Sequence, residues 1–88
     1  MNKNEIKELF EEMEFLNPEA LTADGFDDCI IGIVDGAIID SPIFIYSVTK
    51  IIESLSKDMT PDEAYEYYDY NIRSAYFGKY TPLFLMDY

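Results

Sequence analysis

The run Cys29-Ile30-Ile31-Gly32-Ile33-Val34 constrains this chain more than any other segment. Its β-branched residues favour a strand, yet both alternating sets of side chains are apolar. Cys29, Ile31 and Ile33 face one way, and Ile30 and Val34 face the other with Gly32 between them. Leu83 and Leu85 oppose Phe84 and Met86 in the same manner. A sheet with one wet face would alternate apolar with polar residues. Such strands therefore call for a sheet covered on both faces, by helices on each side or by a second copy of the protein on one.

Asp35-Gly36 follows this run directly. Both turn positions of a tight type I′ hairpin require positive φ, so a DG pair between apolar runs predicts that turn. The return strand is expected over Ala37 to Asp40, resuming at Ile43 to Tyr46. Pro42 cannot donate to a ladder and marks an edge or a bulge. A last strand is expected from Leu83 to Met86, after Thr81-Pro82.

Three helices are expected around these strands. From Asn4 to about Phe15, Ile6, Leu9, Phe10 and Met13 recur at helical spacing while glutamates fill the remaining circumference. Asn4 is the expected N-cap, Asn17-Pro18 the stop, and Pro18 to Leu21 one further helical turn. Ser47 can cap a second helix over Val48 to Lys57. Thr60-Pro61-Asp62-Glu63 is the clearest helix start in the chain, with Thr60 as cap, Pro61 at the first helical position and Glu63 completing a capping box. This third helix is expected to run to about Tyr76, burying Ala64, Tyr68, Ile72, Ala75 and Tyr76, and to end at Gly78. The order α-β-β-α-α-β predicts one α+β domain over residues 1–88 with a small, largely antiparallel three-stranded sheet.

Eighty-eight residues suffice for one core, and a hydrophobic share of 49% is too apolar for a disordered chain. The charge balance is extreme: eighteen Asp and Glu against six Lys and Arg, with no His and a net charge of −12. Such a surface repels nucleic acid and anionic lipid, so neither direct nucleic-acid binding nor a membrane partner is expected. Two consequences stay open. Surplus carboxylates keep a small protein dispersed; they also suit a basic partner, including the DNA-binding groove of a host enzyme engaged by a DNA mimic. A single cysteine, Cys29, excludes an intramolecular disulfide and fits a reducing cytoplasm. The charged N-terminal residues are unlike a secretory signal, and the apolar runs are far shorter than the roughly 20 residues of a membrane span.

Gly25-Phe-Asp-Asp-Cys-Ile-Ile-Gly-Ile33, Thr60-Pro-Asp-Glu-Ala-Tyr-Glu-Tyr-Tyr-Asp-Tyr-Asn71, Ala75-Tyr-Phe-Gly78 and Thr81-Pro82 together resemble a family of small bacteriophage proteins of uncharacterised function. The likeness spans roughly residues 22 to 86. Ser74 stands where the family often has glycine, and Lys79-Tyr80 replaces a more acidic or glycine-bearing pair. The resemblance implies a phage or prophage gene expressed in the bacterial cytoplasm. It carries no activity, cofactor or catalytic residue with it.

Catalytic chemistry finds little to work with. Without histidine, the usual base for a Ser or Cys nucleophile is missing. Cys29 lies in the most apolar segment, where a thiol is held protonated. Asp24, Asp27 and Asp28 form the densest short-range carboxylate cluster, but their spacing is not that of a calcium loop. No phosphate-binding glycine loop is present. The expectation is a non-enzymatic protein with no cofactor and no metal.

The tyrosines say more. Tyr65, Tyr67, Tyr68 and Tyr70 span most of a helix's circumference, so some must reach the surface, where tyrosine supplies contact area at low entropic cost. The candidate partner-binding residues are Tyr65, Tyr67 and Tyr70 with Glu66 and Asp69. A second candidate set is the row Glu5, Glu8 and Glu12, which share one side of the first helix. The expected partner is a host protein with a basic surface. The alternative is a self-assembling or accessory structural phage protein.

Overall fold

Two aromatic contacts fix how helices meet strands: Phe10 lies 5.2 Å from Phe44, and Tyr68 lies 5.8 Å from Phe84, centroid to centroid. A computed structural model describes all 88 residues and places them in the expected α+β order. Helix α1 spans Lys3–Leu16. Its cap is Asn2 rather than Asn4: Asn2 Oδ1 accepts the Glu5 N–H at 2.9 Å, and the Glu5 carboxylate accepts the Asn2 N–H at 3.0 Å. A glutamate stands three residues after Asn2 and only a lysine after Asn4, so the reciprocal capping box can close only from Asn2. Ile6 and Met13 are buried along the inner stripe. At the other end the Asn17 amide donates to the Pro42 carbonyl at 2.9 Å, tying the helix to the entry of a strand. Beyond it the expected helical turn is a single tight turn, closed by the Ala20 N–H on the Asn17 carbonyl.

Strand β1 (Ile30–Val34) follows a 3-10 turn at Asp27–Cys29 and pairs antiparallel with β2 (Ile43–Ser47). The hairpin forms, but the turn is not the expected one. Val34 pairs with Ile43, so residues 35–42 make the connection. Gly36 is not at positive φ, and its carbonyl accepts the Ile39 N–H at 3.0 Å. A tight turn would have paired Ala37 to Asp40 and drawn Pro42 towards the ladder without an N–H. Ile43-Phe44-Ile45-Tyr46 buries far more apolar surface and wins the pairing.

Helix α2 (Val48–Leu55) starts where expected, with Ser47 Oγ accepting the Lys50 N–H at 3.1 Å, and ends two residues before Lys57. Helix α3 (Pro61–Tyr68) has the predicted box: Thr60 Oγ1 accepts the Glu63 N–H at 3.2 Å, and the Glu63 carboxylate accepts the Thr60 N–H at 3.1 Å. It does not continue regularly to Tyr76. Asp69–Arg73 widens into a π-turn, where the Asn71 amide donates to the Tyr67 carbonyl and the Ser74 hydroxyl to that of Asp69. Side chains that compete for backbone carbonyls in this way disrupt a regular helix. Ala64, Tyr68 and Ile72 are buried as the stripe predicted, but Tyr76, beyond the disruption, is 74% exposed. Gly78 takes φ 116°, and strand β3 (Leu83–Leu85) closes the chain's fold.

The sheet order is β1-β2-β3, with β3 parallel to β2. A parallel return needs a long crossover, which α2 and α3 supply. Cross-strand pairs share a face. One face therefore carries Ile30 opposite Tyr46, Ile33 opposite Phe44, and Phe84 beside Tyr46. A bulge between Ile30 and Gly32 puts Ile33 with Ile30, whereas strict alternation had grouped Ile30 with Val34. All three helices contribute to the core on this face through Met13, Val48, Ile51 and Tyr68. The Tyr46 hydroxyl accepts the Ala23 N–H at 2.8 Å, and burial pushes its ionisation up to about 12. The opposite face carries Gly32, Val34, Ile43, Ile45, Leu83 and Leu85. It is not covered throughout: Leu83 is 42% and Leu85 46% exposed.

Candidate partner-binding surface

Helix α3 sorts its tyrosines by direction. Tyr68 turns inward and is buried against Phe84. Tyr65 packs edge-on to Tyr68 at 5.8 Å and is half-exposed, as is Tyr67. Tyr70, on the π-turn, is 84% exposed. Glu66, Tyr67 and Tyr70 share the outward side by their three- and four-residue spacing, and Glu66 has no basic partner. Asp69 differs from this group. It forms an ion pair with Arg73 one turn on, so its charge is already answered within the chain.

The acid row on α1 is exposed throughout, at Glu5, Glu8 and Glu12, with Glu11 and Glu14 beside it. Glu5 is partly committed to the capping box, whereas Glu8 and Glu12 bind nothing within the chain. The two candidate sets are not one patch. Helix α1 packs on β1 and the 3-10 turn, α3 packs on α2 and the π-turn, and the two helices make no substantial contact with each other. Eighteen acids are present and only two ion pairs form, Asp69 with Arg73 and Asp40 with Lys79, which leaves sixteen acids without a cation.

Beside Tyr67 runs a groove of about 270 Å³ lined by Phe26, Asn71, Phe77 and Phe84, with Asp24 its only charged residue. The exposed Phe77 and the exposed Leu83 and Leu85 were not singled out as surface residues by sequence. Nothing in local composition distinguishes them from core residues; only the π-turn and the sheet register reveal where they end up. Asp24, Asp27 and Asp28 are all exposed, and Asp27 and Asp28 open the 3-10 turn before β1. No three Asp, Glu or Cys side chains converge as a metal cradle would require. The Cys29 thiol is buried at the end of that turn, and desolvation pushes its ionisation up, with the Asp28 charge adding to the effect. The arrangement offers contact area and negative potential. No helix is long and apolar enough to cross a membrane.

No protein-family model, no curated protein and no solved structure matches this chain.

Proposed function

We propose that this chain is a small, phage-type binding protein that engages and inhibits a basic surface on a host protein, without enzymatic activity. The observation that carries the reading is the outward side of α3, where Tyr67 and Tyr70 stand beside Glu66 with no cation to neutralise it. Tyrosines of this kind supply buried contact area on binding. Unpaired acids, including Glu8 and Glu12 on α1, supply long-range attraction that raises the association rate. The bacterial host and its cytoplasm belong to the same proposal and rest on the resemblance to phage proteins. A DNA-binding groove is one basic surface that fits, and duplex DNA would then compete with the protein for it.

The test starts with affinity capture from bacterial lysate at low and high salt, followed by binding kinetics on the recovered partner. Glu8→Lys with Glu12→Lys should lower the association rate at low salt, and Tyr67→Ala with Tyr70→Ala should raise the dissociation rate in a folded protein. A captured partner whose binding is salt-independent and indifferent to all four substitutions would reduce the acidity to a solubility feature.

A further inference from the structure

No strand of the sheet contains a charged residue: β1 reads IIGIV, β2 IFIYS and β3 LFL. In a chain of net charge −12 this makes the incompletely covered sheet face, on which Ile43 is buried, a neutral area. Val34, Ile45, Leu83 and Leu85 line it, with Leu83 and Leu85 exposed and Gly32 adding no bulk. The nearest acids stand at its rim: Asp35 follows Val34 and is exposed, Asp40 is paired, and Asp87 is hydrogen-bonded but has no cation. Asp40 pairs with Lys79 at 3.2 Å, and the Asp87 carboxylate accepts the Ser47 hydroxyl and the Thr49 N–H.

We propose that a second copy of this chain packs on this face, sheet against sheet, about a two-fold axis. A basic partner would find no carboxylate on the strands themselves, only at the rim. A second copy presents the same apolar, uncharged surface, which is what an isologous contact requires, and charge depletion is the mark of an interface core. The geometry also manages the repulsion between two acidic chains. Sheets pack roughly 10 Å apart face to face. The helices lie on the other side of each sheet, so the pair is a helix–sheet–sheet–helix sandwich. The acids of α1 and α3 then sit on opposite outer surfaces, with both sheets between them, beyond the roughly 8 Å Debye length at physiological ionic strength. What repulsion remains is screened by added salt, so this association strengthens with salt while binding to a basic partner weakens.

Sedimentation velocity of the full chain, from micromolar to millimolar and at about 0.05 and about 0.5 M NaCl, tests this directly. The expected result is a monomer–dimer equilibrium whose dissociation constant falls several-fold at the higher salt. Leu85→Glu should return the protein to monomer with an unchanged far-ultraviolet circular dichroism spectrum. Leu83→Gln, a milder change on the same face, should weaken the dimer and serves if Leu85→Glu misfolds. Monomer at every concentration in high salt would overturn the proposal. So would a dimer indifferent to both substitutions, or one that salt dissociates. Self-association of this kind without any captured host partner would support the sheet interface while removing the host-binding reading.

Discussion

The two faces of the sheet have similar residues and unequal cover, for on the second only the Ile43 end is buried. Phe44, Tyr46 and Phe84 meet helices, and the first two are almost wholly buried; Ile45, Leu83 and Leu85, one residue out of step, meet no comparable cover. Apolar character alone therefore says that a face wants burial, and the topology decides whether the chain itself supplies it. Here both crossover helices and α1 go to one side, and Leu83 and Leu85 on the other stay exposed.

The comparison breaks most visibly under truncation. Phe44→Ala should cost about 3–5 kcal/mol, the usual loss for a buried phenylalanine, whereas Leu85→Ala should cost the monomer no more than about 0.5 kcal/mol, as a surface change does. Urea denaturation at low micromolar concentration measures both. Equal losses would mean that the second face is as well packed as the first.

A smaller effect is expected at the start of α3, which holds Tyr68 against the covered face. Thr60→Ala should cost about 1 kcal/mol, because the cap and its half of the box go together. An unchanged melting temperature would place the whole burden on packing.

Asp87 sharpens the comparison from the other side, since it anchors the chain after β3 to the start of α2. The Ser47 hydroxyl, then the Thr49 N–H, hold its carboxyl below the ordinary 3.8. A carboxyl depressed in the folded state stabilises above its unfolded value and loses that contribution as pH falls through its folded one. Acid denaturation should therefore include a loss below about pH 4 that Asp87→Asn removes, read from melting curves of both proteins.

The smallest effect belongs to Gly36→Val, expected within about 0.5 kcal/mol. Gly36 is not at positive φ and a Cβ there would meet nothing within 4 Å. A large loss would restore the tight turn that the Asp35-Gly36 pair suggests.

That turn shows where sequence reading ran out. Local chemistry with a dedicated geometric purpose was legible in part: the Thr60 box, the Ser47 cap and the element order stand in the structure, whereas the first helix is capped by Asn2 and not Asn4. Features settled by competition were not. Asp35-Gly36 lost its turn because Ile43 to Tyr46 out-pairs Ala37 to Asp40, and Tyr76 left the buried stripe because Asn71 and Ser74 side chains take carbonyls that a regular helix would use. The candidate site was legible in part. Tyr67, Tyr70 and Glu66 do share one exposed side, whereas Asp69 is paired and the α1 acids form a separate patch.

The most direct measurement of the division between the two faces is solvent access at individual leucine methyls. Methyl-labelled protein with a soluble paramagnetic probe reads Leu83 and Leu85 beside Leu9 and Leu55, which pack on the core. At micromolar concentration Leu83 and Leu85 should relax strongly while Leu9 and Leu55 respond less. Near millimolar and at high salt the first pair should become protected. Protection of Leu83 and Leu85 at every dilution would contradict an open face, and exposure that persists at every concentration would contradict a second copy upon it.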